Sequence, residues 1–171
     1  ATNDYTSFSN LLSTDFEYSN KTTRPSAELE YRDKKWSAST EIAYSNRTLK
    51  NTDFLRPQTN LEREFNNLEY GFNIRYRKDR SSRYRVRYNF RNSVPSLAQL
   101  QPFRDESNPL NIITGNPTLA PSKTHSIRFG ASNFNWQKRT GFWSFANISL
   151  TNDRVVANTV INPNSLIRET T

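Results

Sequence analysis

Residues 68–91 read LEYGFNIRYRKDRSSRYRVRYNFR, and this stretch decides the fold class. Apolar and polar residues alternate on both sides of a short polar turn at residues 78–82. One parity carries the apolar and aromatic residues Leu68, Tyr70, Phe72, Ile74, Tyr76, Tyr84, Val86, Tyr88 and Phe90. The other parity carries the basic residues Arg75, Arg77, Arg83, Arg85, Arg87 and Arg91. Because two residues is the period of a β-strand, the stretch predicts a long β-hairpin with one apolar and one basic face.

The same period recurs on both sides of this hairpin. Further strands are predicted at about residues 5–18, 26–32, 36–47, 126–132 and 142–150. The polar segments interpreted as turns or loops are residues 19–24, 33–35, 49–63 and 135–141. The pattern therefore predicts an all-β chain, an antiparallel meander of about seven to eight long strands.

A long loop at residues 92–124 separates the central hairpin from the later strands. It holds five of the eight prolines, which exclude regular ladder pairing. It also holds apolar residues, among them Leu100, Phe103 and Ile112. A connection of this length is typically functional or disordered, and its apolar residues favour an ordered loop that projects from a β-barrel.

The composition excludes several classes of protein. Hydrophobic residues make up only 33% of the 171 residues, and the mean hydropathy is −0.89. Aromatic residues nevertheless reach 13%, which argues against a disordered chain. No stretch approaches the roughly 20 apolar residues of a membrane helix. The absence of cysteine excludes disulfides and thiolate metal sites, and the net charge of +8 fits an anionic partner of several kinds.

Strand length and connection length both point to the outer membrane. The predicted strands reach the roughly 9–11 residues that a membrane strand needs. Short turns alternate with longer loops, as periplasmic turns and extracellular loops do in outer-membrane barrels. Tyr31, Trp36, Tyr76 and Tyr84 flank the predicted turns, as the residues of an aromatic girdle would. Charged residues on the other parity would be crowded in a small filled lumen, so a piece of a larger, wet barrel is favoured.

The loop also carries a family resemblance. Its signature runs Pro95-Ser96, Gln99-Leu100-Gln101-Pro102-Phe103, Asp105, Ser107-Asn108-Pro109-Leu110, Gly115-Asn116-Pro117, Leu119, Pro121 and then His125. Together with residues 65–71 and the strand at 84–90, it resembles the barrels of bacterial TonB-dependent receptor-like proteins. The resemblance covers most of the chain and is strongest from about residue 60 to residue 150.

This resemblance implies a large transmembrane barrel of about 22 strands. Residues 1–171 would be one part of that barrel, with residues 92–124 as a long extracellular loop and with no plug domain in this chain. The implied function is import of a ligand across the outer membrane of a Gram-negative cell. The implied partners are outer-membrane lipid, the plug and remaining strands of the parent chain, TonB through the missing N-terminus, and a surface lipoprotein.

Candidate site residues follow from the strand faces and the loop. The lumen-facing basic residues are predicted to be Arg75, Arg77, Arg85, Arg87 and Arg91. They fit a solvated or ion-paired lumen wall, and also a path that attracts an anionic substrate. Nucleic acid is not predicted as a partner, because the aromatic residues fall on the opposite face. The loop residues expected to contact ligand are Arg56, Arg104, Asp105, Asn108 and Asn116.

No catalytic residue, cofactor or metal site is predicted, and the chain is not expected to be an enzyme. The single histidine, His125, is interpreted as structural. The acidic residues Glu28, Glu30, Asp105 and Glu106 show no sign of an enclosing cleft. Two alternatives stay open: a structural or assembly barrel that does not transport, and a soluble basic β-sheet binding module.

Overall fold

The computed structural model of the chain describes residues 15–105, 108–163 and 165–171. Its strands are β1 (Phe16–Thr23), β2 (Ser26–Arg32), β3 (Trp36–Asp53), β4 (Leu61–Arg77), β5 (Ser82–Ser93), β6 (Arg104–Asp105), β7 (Asn111–Thr114), β8 (Ser122–Asn135), β9 (Thr140–Asn152), β10 (Thr159–Ile161) and β11 (Arg168–Thr170). The large sheet has seven strands in the order β1-β3-β4-β5-β8-β9, and β2 also pairs with β3. This sheet is an antiparallel meander, as predicted, and it is open rather than closed into a barrel.

β1 and β2 form one line along β3, which corrects the prediction of a loop at residues 19–24. Phe16 pairs with Asp53 and Ser26 with Ala43, so both segments keep the same register. The interruption lies at Pro25, whose oxygen accepts a 3.0 Å bond from the Tyr44 N–H. Proline has no N–H to return the second bond, so the ladder loses one rung without shifting. The predicted strand at residues 5–18 lies mostly outside the described residues; its described end belongs to β1.

β3 and β4 are longer than predicted, and the loop expected at residues 49–63 shrinks to residues 54–60, which include a 3-10 helix at Pro57–Thr59. The strands pair continuously from Trp36 opposite Tyr76 to Asn51 opposite Leu61. Polar composition suggested a loop here because the polar residues form the solvent face of a strand pair. The two-residue alternation continues into this segment, but its apolar side chains, Leu49 and Phe65, now lie on the face that carries the polar side chains in the rest of the strand pair.

The described residues of the long loop include a helix, α1 (Leu97–Leu100). The Ser96 hydroxyl and the Gln99 side chain form a capping box at its start. The short strands β6 and β7 follow, and β7 joins a four-stranded sheet in the order β10-β11-β7-β6. The tail of the chain therefore folds back onto this loop, with β11 parallel to β7.

One face of the large sheet is apolar and exposed over its whole width. Ile42, Tyr70, Phe90, His125 and Leu150 form one row across it, and Phe72, Tyr88, Ile127 and Ile148 lie in the next row. The exposed fraction reaches 73% for Leu29 and 64% for Leu150. Soluble monomers rarely expose a continuous apolar face of this extent. We call this face the belt; it is the surface that a membrane strand turns toward lipid.

The two ends of the sheet differ. The short connections, at residues 33–35, 78–81 and 136–139, lie at what we call the turn end; the longer connections lie at the loop end. At the turn end the Trp36 and Tyr76 rings are 4.4 Å apart, and the Tyr76 and Tyr84 rings are 6.1 Å apart. The predicted aromatic row is therefore continuous across three strands. No helix in the described ranges is long and apolar enough to cross a membrane.

Candidate functional site

The face opposite the belt, called the inner face here, carries the charged side chains. Arg75 lies opposite Arg85, Arg77 opposite Arg83, and Arg87 opposite Arg128. Because residues opposite each other on paired strands share a face, these arginines form one surface. The structure places the predicted basic residues Arg75, Arg77, Arg85, Arg87 and Arg91 on it.

Toward the loop end the inner-face charges are paired. Arg24 donates to Glu41 at 2.9 Å and to Glu69 at 3.1 Å. Arg91 donates to Glu69 at 3.0 Å and to Glu41 at 3.3 Å. Each arginine thus contacts both carboxylates, and the Asn92 N–H adds a third bond to Glu69. We call Arg24, Glu41, Glu69 and Arg91 the charge network; it joins the strand break before Pro25 to β3, β4 and β5.

Toward the turn end the arginines of β4 and β5 have no such partners among the described residues. Arg75, Arg77, Arg83 and Arg85 are exposed, and no acidic residue of the described ranges forms an ion pair with them. They line an open cavity of about 690 Å³. Asp33, Lys34, Lys35 and Trp143 also line it, together with Arg32, which forms an ion pair with Glu30 at 2.6 Å. The result is a strongly positive cavity at the turn end of the inner face.

An aromatic pair lies beside these arginines, and sequence reasoning missed it. Trp143 lies opposite Ser132, which lies opposite Arg83, so Trp143 belongs to the inner face. The Trp143 and Phe145 rings stack with centroids 5.2 Å apart. Both parities of β9 are apolar at this point, so only the register with β8 could assign the facing.

The long loop packs against the inner face of β3 and β4, where these two strands extend beyond the belt. Leu100 of α1 is completely buried with Leu49 and Phe65 from β3 and β4. Arg63 donates to the Pro117 oxygen and lies over the Phe65 ring. The described part of the loop therefore covers the inner face of the sheet at the loop end, and it does not cover the opposite face there.

Gly115 shows how closely the loop is packed on itself. A Cβ at this position would clash with the Gln101 oxygen and would lie 2.7 Å from the Ala98 oxygen. The next residue, Asn116, donates its N–H to the Gln99 oxygen at 2.6 Å. Its side-chain oxygen accepts from the Thr118 N–H at 2.9 Å, so this predicted ligand contact also holds a turn.

Arg56 anchors the connection between β3 and β4. Its Nε donates to Asp53 at 3.1 Å, and its guanidinium lies 4.5 Å from the centre of the Phe103 ring. Arg56 therefore links the shorter loop to the longer one by a cation–π contact. The connection brings this predicted ligand contact to the same end of the sheet as the other four.

The remaining predicted ligand contacts lie in or beside the small sheet. Arg104 forms an ion pair with Glu169 at 2.9 Å, and Asp105 pairs with Ile113 along the ladder. The Asn108 side chain accepts the Leu110 N–H at 3.1 Å. Glu106, considered for its carboxylate, lies outside the described residues.

Asp53 is the most enclosed charge of the loop end, and it lies beyond the belt. Burial favours its neutral form, but the N–H groups of Arg56 and Leu55 donate to it at 2.8 and 2.9 Å. Together with the Arg56 guanidinium, these bonds hold the pKa of Asp53 below its usual value. The carboxylate therefore stays ionised and fixes the start of the connection.

His125 lies on the belt side of the sheet. Its Nδ1 is 2.8 Å from the Tyr88 hydroxyl, and its ring is 4.6 Å from the Phe90 ring. The contacts are those of a packed aromatic neighbour. Within the described ranges, no group of three or more His, Asp or Glu side chains could hold a metal ion.

The comparisons with known proteins agree with this geometry. A model of the outer membrane protein beta-barrel family matches residues 72–171, which is more than half of the chain. No curated protein and no solved structure matches. An exposed apolar belt, a charged inner face and alternating short and long connections are the features of an outer-membrane wall. The chain belongs to the outer membrane protein beta-barrel family.

Proposed function

We propose that this chain is the barrel segment of a TonB-dependent receptor or transporter that imports a ligand across the outer membrane. The observation that carries the proposal is the inner face, where long charged side chains cover the sheet from the charge network to the turn end. Such side chains need a wide, wet lumen, because a small barrel fills its lumen with side chains. Plugged transporters of about 22 strands provide a lumen of that kind.

The loop signature supports the same proposal. Residues 95–125 resemble those of TonB-dependent receptor-like barrels, and in this chain they pack inward on Leu49 and Phe65. A loop in that position narrows the entrance of a lumen. Arg56, Arg104, Asp105, Asn108 and Asn116 are the residues proposed to contact ligand there, with the turn end facing the periplasm of a Gram-negative cell.

The proposed partners follow from the proposed import. A plug and the remaining strands would complete the barrel, TonB would drive import, and a surface lipoprotein would deliver ligand. Enzymatic activity is not part of the proposal. The alternative of a barrel that only scaffolds other proteins uses the same belt and differs in lacking coupling to TonB.

The test is binding of the full-length protein, purified in detergent micelles, to the periplasmic domain of TonB from the same bacterium. Transport predicts saturable binding that a peptide copy of the receptor's own TonB box displaces. A full-length protein without plug or TonB box, or one that does not bind the TonB domain, would contradict import and leave the scaffold alternative.

A further inference from the structure

The turn-end arginines are crowded together, because the pairing of β4 with β5 places them directly opposite one another. Arg75 and Arg85 lie directly opposite each other, as do Arg77 and Arg83. Like charges in that relation destabilise a strand pair. Carboxylates are available on the same face nearer the loop end, yet they pair with Arg24 and Arg91 instead. Glu30 pairs with Arg32 and Asp33 also lines the cavity, but among the described residues neither forms an ion pair with Arg75, Arg77, Arg83 or Arg85, so the turn end holds an excess of positive charge.

The neighbouring strands add a flat apolar surface to this charge. Row by row, Arg85 is followed by Gly130 and Phe145, and Arg83 by Ser132 and Trp143. The exposed fractions are 72% for Trp143 and 63% for Phe145. These aromatic rings belong to the inner face, so lipid does not cover them.

Gly130 lies between the arginines and the aromatic rings, and because it has no side chain, no atom projects from the inner face at this position. A Cβ built there would meet no atom within 4 Å. The absence of a side chain therefore reflects no packing demand within the chain, and it leaves open space above the backbone. The cavity of about 690 Å³ beside it lies within the range of small-molecule sites, roughly 300–1,000 Å³.

We infer that the turn end of the inner face binds a small aromatic polyanion. The anionic groups lie against Arg75, Arg83 and Arg85, and the flat ring stacks on Trp143 above Gly130. Guanidinium groups suit this role because they donate bidentately and bind anions while staying charged. The cavity size favours a small molecule over an acidic polypeptide, which would extend well beyond it.

This site differs from the loop residues proposed for import, and its binding does not depend on TonB. The experiment uses the full-length protein in detergent micelles with pyrene-1,3,6,8-tetrasulfonate as the probe. Equilibrium dialysis at low salt measures the dissociation constant. We expect saturable binding that weakens as salt is added, because the contacts are ionic. Since no energy source is present, failure here leaves the import proposal untouched.

Matched variants separate the charge contribution from the ring contribution. Arg75→Gln with Arg85→Gln is expected to weaken binding at least about tenfold, since two guanidinium groups that donate charge-assisted bonds to the anion are lost. Trp143→Leu should weaken binding of the probe but leave binding of tripolyphosphate, an anion without a ring, unchanged. Because a Cβ at Gly130 meets no atom within 4 Å, Gly130→Leu is expected to fold normally and to block the ring.

The control is Arg47→Gln, since Arg47 lies at the loop end and bonds to Asn20. It removes the same charge and should leave the dissociation constant unchanged. Equal binding by the wild type and the double arginine variant would overturn the site. So would equal affinity for probe and tripolyphosphate in the wild type, or tighter binding of polyglutamate than of the probe.

Discussion

The two ends of the inner face use the same residue types in opposite ways. At the loop end, Arg24 and Arg91 share Glu41 and Glu69, and Asp53 is enclosed by backbone donors. At the turn end, Arg75 and Arg85 oppose each other, and no carboxylate of the described ranges forms an ion pair with either of them. Paired charges hold strands and loops in place, whereas opposed like charges destabilise the sheet when no anion is bound to it. The difference separates the architectural arginines from those available to bind an anion.

The largest effect should come from the core beneath the long loop. Leu100→Ala removes a completely buried side chain between Leu49 and Phe65, and large-to-small core changes lose about 2–5 kcal/mol. Hydrogen exchange at the Gln99 and Asn116 amides should speed up accordingly. Leu110→Ala is the control, since Leu110 is 62% exposed. Equal exchange in both variants would mean that the loop is not held by this core.

The charge network should give the next effect. Glu69→Gln leaves Arg24 and Arg91 short of a shared acceptor, and we expect a loss of about 2 kcal/mol in the free energy of unfolding. Thermal unfolding in micelles measures it. Glu62→Gln breaks only the exposed 3.6 Å pair with Lys50 and should change stability by less than about 1 kcal/mol. A comparable loss in the two variants would remove the distinction between network and surface pair.

Acid should release the connection between β3 and β4. The pKa of Asp53 is lowered by folding, so its stabilisation is complete above the unfolded value of about 3.9 and is lost as the pH falls through the lower folded value. Proteolysis within residues 54–60 should therefore accelerate in that acid range. Asp53→Asn should lower local stability by about 1 kcal/mol at neutral pH. A pH response that persists in Asp53→Asn would assign it to another group.

A substitution at the turn end should change the free energy of unfolding least, and it should stabilise the protein where the other substitutions destabilise it. Arg85→Gln removes a like-charge contact with Arg75, so stability should stay the same or rise by up to about 1 kcal/mol. Added salt should stabilise the wild type slightly more than the variant, because it screens that repulsion. Thermal unfolding at two salt concentrations makes the comparison. A clear loss of stability in Arg85→Gln would show that this arginine is architectural after all.

The central hairpin could be predicted from the sequence because one physical demand acts along it. Lipid on one side and water on the other impose strict alternation from Leu68 to Phe90. The turn positions followed from the same pattern. The polar residues 19–24, which end at Pro25, were wrongly interpreted as a loop, whereas residues 19–23 pair along β3.

Beyond the belt the two faces exchange character, so that the outer face is polar and the inner face is apolar. The sequence alone did not reveal this exchange. Water then lies on the outer side, at Lys50 and Glu62, while Leu49 and Phe65 turn inward to the loop. The inner aromatic pair on β9 was missed for a related reason: both parities are apolar there, so pairing with β8 decides the facing. Facing is a property of the sheet, and it needs the partner strand as well as the pattern.

The length of β3 has a consequence at the cell surface. From Tyr44, where the belt ends, to Asp53 the strand continues for roughly 30 Å at about 3.3 Å per residue. If the loop end faces outward, as proposed above, this paired ribbon extends beyond the lipid and carries the 54–60 connection at its tip. An antibody or a phage tail that approaches from the loop end would reach this connection before it reaches the belt.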